Sequence, residues 1–244
     1  MKKQKMTIRT GQLFFVFSLS MLLASCSTTM MLNDNLETGV EVLEVKGRSG
    51  GMPGQKLVFG DYVSSKVERK IAMAEAETYA VSSRTTRDTM QFNVFGPAGN
   101  SSRVFCLSKK SEMSLPIAGD KYQMAVGAQN ACFGKIVLGE GSDWSFTIAN
   151  PSPIAPDVVS EGVISNGQTA ISFKAVQQND KGKQVEGRVL GFEFWNGKEV
   201  VGAVELIGGG RIIIKKSLPQ GMKSLIATIA ATMLLRYDMN MMEN

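Results

Sequence analysis

The chain has 244 residues, of which 43% are hydrophobic and 20% are charged, and it contains three cysteines and no histidine. These proportions are typical of a globular protein and exclude a disordered one. The absence of histidine removes the commonest general base and metal ligand, and with it the Ser-His-Asp and Cys-His catalytic arrangements. The formal net charge of +5 is distributed unevenly along the chain.

The N-terminus has the pattern of a secretory signal peptide. Residues 1–25 carry four basic residues and no acidic one, and residues 13–23 form an apolar run. This run has 11 residues, whereas a membrane-spanning helix needs about 20. The pattern therefore predicts a signal peptide over residues 1–25. The alternatives are an uncleaved signal anchor and a secreted soluble protein that is cleaved near Ala24.

Residues 23–26, with the sequence Leu-Ala-Ser-Cys, resemble the lipobox of bacterial lipoproteins. The resemblance implies that the leader is removed before Cys26 and that Cys26 carries acyl chains such as palmitate. These chains would hold the mature protein in the membrane of the bacterial cell envelope. In that family a Ser after the Cys, here Ser27, fits sorting to the outer membrane with the protein facing the periplasm.

Most of the positive charge belongs to the leader. Without its four basic residues, the chain from Cys26 onward keeps 23 basic residues against 22 acidic ones. No block of Lys and Arg longer than two residues remains. A basic pI normally raises the possibility of nucleic-acid binding, but here it reflects targeting, so no nucleic-acid partner is predicted.

Two cysteines remain once Cys26 is assigned to acylation. Cys106 and Cys132 each lie in a short apolar run, as neighbouring strands would place them. An even number of cysteines in an oxidising compartment favours a disulfide. The alternative is a pair of buried free thiols, which pack as small hydrophobic side chains.

The chain after the leader divides into a tether and one domain. Residues 26–37 are mostly small and polar and are predicted to be a flexible tether. Residues 38–244 are predicted to form a single β-rich domain, because short apolar runs recur with turn residues about every ten positions. The runs predicted to be strands are 40–45, 56–63 with a bulge or kink at Gly60-Asp61, 92–95, 103–107, 122–126, 132–138, 144–148, 162–165, 169–174, 189–195, 199–207 and 211–215.

Three local features refine this assignment. Residues 71–80 are rich in Ala and Glu and are predicted to form a helix, and residues 82–89 are predicted to be a polar loop. The Asn-Gly pairs at 166–167 and 196–197 stand between alternating runs. They favour type I′ hairpin turns, in which both central residues take positive φ. The fold class is therefore mainly β (α+β), an antiparallel sandwich or barrel.

The C-terminus is predicted to be a helix over about residues 219–237. Residues 225–235 carry no charge on any face, and a helix that is apolar all round is buried or lies in a membrane. Eleven residues rise only about 16 Å, too little to span a bilayer, so we expect the sheet to enclose the helix.

Over residues 187–237 the order of elements, strands followed by a terminal apolar helix, resembles the tubby-like and scramblase-like C-terminal domains, in which a barrel wraps such a helix. The resemblance includes no motif, and none of that family's membrane-lipid contacts can be matched to a residue here.

No catalytic or metal-binding motif is found. Residues 47–51 match G-x-S-x-G, but a nucleophile elbow needs a following helix and a histidine, and Met52-Pro53-Gly54 follows instead. No enzyme activity, metal or cofactor is predicted. The first hypothesis is a lipid-anchored, non-catalytic interaction or structural module whose partners are envelope proteins or lipid. The alternative is a carrier of a lipid or other apolar ligand in the β-domain, which an open apolar cavity would favour.

If Cys26 is the acylation site, Cys26→Ala should leave the precursor uncleaved or released, because no acyl chain would then hold the protein in the membrane. Fractionation of cells that express each form measures this, and Ser27→Ala is the control that should still reach the membrane. Intact mass of the mature wild-type protein without an acyl addition at Cys26 would contradict the prediction.

Overall fold

A computed structural model describes residues 28–49, 54–78, 81–117, 122–139, 141–150, 161–185 and 188–236. The predicted signal peptide at residues 1–25 and the predicted lipidation site Cys26 lie outside these residues. The described part consists of antiparallel strands, two short 3-10 turns at Asp34–Leu36 and Pro97–Gly99, and one helix near the C-terminus. The elements are β1 Val40–Lys46, β2 Val58–Phe59, β3 Tyr62–Ser64, β4 Glu68–Thr78, β5 Val81–Phe95, β6 Ser101–Ile117, β7 Tyr122–Leu138, β8 Asp143–Asn150, β9 Glu161–Ser165, β10 Ala170–Val176, β11 Gly191–Asn196, β12 Glu199–Glu205, β13 Arg211–Lys215 and α1 Gln220–Leu235.

The strands form a closed barrel of 12 strands with β4 outside it. From β5 to β13 each strand pairs with the next one along the chain, and β13 returns to pair with β1. The sheet continues through β2 to β3, and β3 pairs with β5 at Val63↔Phe95 and Ser64↔Val94, which closes the barrel. Short connections produce this order because antiparallel neighbours need only a tight turn between them.

Helix α1 occupies the interior of the barrel. Every residue from Ser224 to Leu235 is buried, and the helix contacts β6 and β7 on one side and β12 and β13 on another. The hydroxyl of Thr228 donates to the carbonyl of Ser224 at 2.7 Å, and that of Thr232 donates to the carbonyl of Thr228 at 2.8 Å. These bonds satisfy polar groups that would be costly to bury alone. The barrel is thus the correct one of the two predicted architectures, and the buried C-terminal helix is confirmed.

The alternating sequence runs located many of the strands. The predicted strands at 40–45, 144–148 and 211–215 agree with β1, β8 and β13 within two residues. The predicted hairpins at Asn166-Gly167 and Asn196-Gly197 are also present. In these strands the inward residues are apolar, and burial against α1 and its neighbours holds them on that face.

The prediction of a helix at residues 71–80 and a loop at 82–89 is wrong. Residues Glu68–Thr78 form β4, which pairs with β5 over its whole length, and Val81–Phe95 forms β5. The Ala and Glu residues favour a helix only weakly, by a few tenths of a kcal/mol each. Pairing with β5 overrides that preference. The sequence pattern of β4 alone does not indicate this pairing.

The turn predictions are corrected as well. Gly60-Asp61 is the turn of a hairpin between β2 and β3, and φ of +54° at Gly60 is a conformation that glycine adopts without strain. The type I′ turns are wrong, because neither Asn166 nor Asn196 has positive φ. Instead, the Asn166 side-chain oxygen accepts from the backbone N–H of Gln168 at 3.0 Å and that of Thr169 at 2.8 Å. Asn196 pairs with Glu199, so its loop consists of Gly197 and Lys198.

The predicted tether at residues 26–37 is packed against the barrel at Met30 and Leu36. Met30 is 2% exposed, and its N–H donates to the Glu205 carboxylate at 2.7 Å. A Cβ atom at Gly191 would overlap the sulfur of Met30, so glycine is required for this close approach. Leu36 is 1% exposed in a second apolar cluster on the outside of β11 to β13.

Removing buried volume from α1 should destabilise the barrel. Ile229 is 0% exposed, and we expect Ile229→Ala to lower the free energy of unfolding by about 2–5 kcal/mol, because it leaves a cavity in a close-packed interior. Denaturant unfolding measures the change. Val42→Ala on β1, where the side chain is 48% exposed, is the control and should change stability by less than about 0.5 kcal/mol.

Truncation after Pro219 tests the same point in a second way. If the helix is a required part of the core, the truncated chain should not melt cooperatively. A soluble and cooperatively melting product would show that the barrel folds without the helix.

Candidate interaction surface

The C-terminal end of α1 is held by two arginines. Arg48 donates from Nε to the carbonyl of Leu234 at 3.1 Å and from Nη1 to the carbonyl of Leu206 at 2.7 Å. Arg69 on β4 donates to the carbonyl of Leu235. The last carbonyls of a helix lack partners within the helix and carry partial negative charge, so cations stabilise them. Both arginines therefore fix α1 inside the barrel.

Arg69 also forms a buried ion pair. Its Nε lies 3.3 Å from Oδ1 of Asp88 on β5, and the two side chains are 1% and 2% exposed. Burial raises the pKa of Asp88, and the positive charges of Arg69 and Arg236 act in the opposite direction. Burial lowers the pKa of Arg48. Asp88 pairs with Arg69, and both arginines bond to the end of α1, so these groups have a structural role.

The segment that matches G-x-S-x-G takes part in this arrangement through Arg48. The N–H of Ser49 donates to the side-chain oxygen of Gln55 at 3.1 Å. The next described element along the chain is strand β2 rather than a helix. Since the chain also contains no histidine, the segment lacks the parts of a nucleophile elbow.

The predicted pairing of Cys106 and Cys132 is present as a disulfide between β6 and β7. Cys106 lies opposite Gly134, and Cys132 lies opposite Ser108, so the bridge crosses the ladder diagonally. Their Cα atoms are 6.6 Å apart. Both side chains face the barrel interior and are at most 5% exposed, so the bridge ties the strands together from within.

The outer face of β6 and β7 carries an apolar patch. Phe105, Leu107 and Phe133 are 41%, 39% and 49% exposed, and we call these three side chains the outer patch. Leu107 lies directly opposite Phe133 in the ladder, and Phe105 lies diagonally from Phe133. On β9 in the same register row, Val163 is 42% exposed. Grouped apolar side chains that are exposed make this surface a candidate interaction site.

The outer patch lines an open groove of about 730 Å³. Lys70 on β4 and Lys135 on β7 stand beside the apolar side chains, and Lys135 pairs with Asp143 at 2.5 Å. Glu68 accepts a hydrogen bond from Gln91 on the same face. The groove thus combines an apolar floor with charged edges, which is the composition of a polar-rimmed contact surface.

A second groove of about 640 Å³ runs beside the packed N-terminal segment. Burial raises the pKa of Glu193 in its wall, and hydrogen bonds from the Trp195 side chain and the Asn33 backbone act in the opposite direction. The Lys174 ammonium lies 4.4 Å from the centre of the Trp195 ring. The lining of this second groove consists mostly of amide and charged side chains. The outer patch is therefore the stronger candidate for apolar contacts.

The sequence analysis did not identify the outer patch. A signal was present, because residues 104–107 are apolar on both faces of a strand, with Phe105 and Leu107 alternating with Val104 and Cys106. A strand with one face in water normally alternates apolar with polar residues. In the described part of the chain, no cluster of three or more potential metal-ligating side chains occurs.

Comparison with known proteins gives no relative to name. No family model, no curated protein and no solved structure matches this chain. Among the helices of the described residues, none has both the length and the apolar character needed to cross a membrane.

The disulfide should make both cysteines unreactive toward thiol reagents, and it should add to the stability of the protein. Cys106 and Cys132 are 26 positions apart, and closing a loop of that length contributes about 3.5 kcal/mol in the chain-entropy model. We expect thiol labelling of the unfolded, unreduced protein to find neither residue, and Cys106→Ser with Cys132→Ser to lower the unfolding midpoint. Ser108→Ala, a small buried residue on the same face, is the control for substitutions in this part of the core. Labelling of both cysteines would contradict the bridge.

Proposed function

We propose that this chain is a lipid-anchored protein of the bacterial cell envelope, attached through Cys26, that acts as a non-catalytic interaction or structural module. In this proposal the acyl chains hold the protein in the outer membrane with the barrel on the periplasmic side. The outer patch of Phe105, Leu107 and Phe133 is the surface that contacts an envelope partner. The Cys106–Cys132 disulfide supports an oxidising compartment, since disulfides persist there and are rare in the cytosol.

The observation that carries the proposal is the filled interior. A carrier would hold its ligand inside the barrel, as small β-barrels that bind one ligand do. Here α1 takes that space, and Ile226, Ile229 and Ala230 are each 0% exposed. Function is therefore expected on the outer surface, where the apolar side chains of the outer patch remain in water.

The carrier remains the second candidate because of the groove beside the outer patch. Its volume of about 730 Å³ falls within the range of about 300–1,000 Å³ typical of small-molecule sites. An apolar ligand with an anionic end would contact Phe133 along its length and Lys70 at the edge of the groove.

We also propose a relation to the tubby-like and scramblase-like domains. The barrel around a terminal helix supports this relation, but the membrane-lipid contacts of those domains are not transferred to this chain.

The two candidates differ in what accompanies the purified protein. We expect native mass spectrometry to give the mass of the acylated polypeptide without a further bound lipid, because α1 fills the interior and the groove at the outer patch is open to water. A lipid or other apolar molecule present at one per protein would replace the proposal with the carrier.

The outer patch is tested by Phe105→Ser combined with Phe133→Ser. These side chains are exposed, so the double variant should keep the wild-type unfolding midpoint. We expect the wild type to migrate in a larger complex on native electrophoresis of solubilised envelopes, and the double variant to lose that complex. Val42→Ser, which removes an exposed apolar side chain from β1, is the matched control and should keep that complex. A complex unchanged by the double variant would contradict this assignment of the surface.

A further inference from the structure

Strand β4 has a free edge among the described residues. It pairs with β5 along one side from Glu68 to Thr78, and it stands at the end of the strand order. A long edge strand presents a row of unpaired N–H and C=O groups and acts as a template for another strand. Proteins that keep such an edge solitary usually shorten it or place charged residues, a proline or a bulge in it. Strand β4 runs for 11 residues and contains no proline, and its part from Ile71 to Ala74 carries no charge.

The side chains in the middle of β4 are also open to solvent. Every residue from Ile71 to Ala76 is exposed. Ile71 and Met73 share one face, and they are 45% and 57% exposed. Two large apolar side chains on an unpaired edge are a feature that a partner strand would bury.

We propose that a second copy of the chain occupies this edge. Its β4 pairs antiparallel with β4 of the first copy, and the two-fold axis passes between the two Ala72 residues. A two-fold axis perpendicular to the sheet keeps inner and outer faces continuous across the junction. Residues directly opposite each other must then share a face. Only registers centred on a single residue meet this condition, which leaves Ala72, Met73 and Ala74 as central candidates.

The side chains of β4 select among these registers. Centring on Ala72 places Ile71 opposite Met73 of the second copy, twice by symmetry, and places no like charges opposite each other. Centring on Met73 places Ile71 opposite Glu75. Centring on Ala74 places Met73 opposite Glu75 and Ile71 opposite Glu77. Only the first register buries both exposed apolar side chains against each other.

This self-association goes beyond the proposed function. It rests on the edge of β4, and it requires neither acylation of Cys26 nor a partner on the outer patch. A failure of the dimer would leave both of those proposals in place, and their failure would leave the dimer in place.

Cysteine cross-linking of the purified full chain tests the register. With the axis at Ala72, the two Ala72 Cα atoms lie about 4.5–5.5 Å apart, within the range for a disulfide. Two Ala74 residues lie four positions out of register, about 14 Å apart. Under mild oxidation Ala72→Cys should therefore form a cross-linked dimer on non-reducing electrophoresis, beyond any dimer given by the wild type. Ala74→Cys, also exposed on the same face of β4, should not. Cross-linking of Ala74→Cys alone would overturn this register.

Sedimentation equilibrium tests the association without an added thiol. We expect the wild type to show a monomer–dimer equilibrium and Ile71→Lys with Met73→Lys to remain monomeric, with the same unfolding midpoint. A wild type that is monomeric at every concentration, with no cross-link at position 72, would overturn the proposal. If the β4 amides that point away from β5 were then protected from hydrogen exchange, the occupant would be a segment of the same chain.

Discussion

The structure depends on the burial of the uncharged part of a helix inside a closed sheet. Helix α1 has no charged residue between Leu225 and Leu235, so no face of it can be exposed to water without cost. The inward apolar residues of the barrel strands likewise need a partner surface. The helix and the strands bury each other's apolar side chains. The arginines at the end of α1 complete the arrangement by donating hydrogen bonds to carbonyls that have no partner within the helix.

This constraint determines where function can lie. An interior that holds a helix leaves little space for a ligand, so binding must use the outside of the barrel or the strands that leave it. Among the described residues, the outer patch on β6 and β7 and the free edge of β4 each place large apolar side chains in water, as do single positions such as Val42 and Phe95. Strand β5 separates β4 from β6 in the sheet, and Lys70 of β4 stands beside the groove that Phe105 and Phe133 line.

Closure of the barrel also explains why β4 is outside it. Strand β3 pairs with the end of β5 at Val94 and Phe95, and this short pairing completes the ring. Strand β4 then continues along the same side of β5, past the point where the ring is closed. Its backbone gains one ladder and has no second neighbour within the described chain. The buried ion pair between Arg69 and Asp88 holds the N-terminal end of β4 against the barrel.

The sequence by itself determined the β class, most of the short strands, the buried C-terminal helix and the pairing of Cys106 with Cys132, because each depends on local periodicity, apolar composition or cysteine count. It did not determine β4 and the first half of β5, whose residues favour a helix or a loop until a neighbouring strand pairs with them. It also did not distinguish a barrel from a sandwich, or identify the outer patch. Those features depend on which strand meets which, and pairing between distant residues leaves no local pattern in the chain.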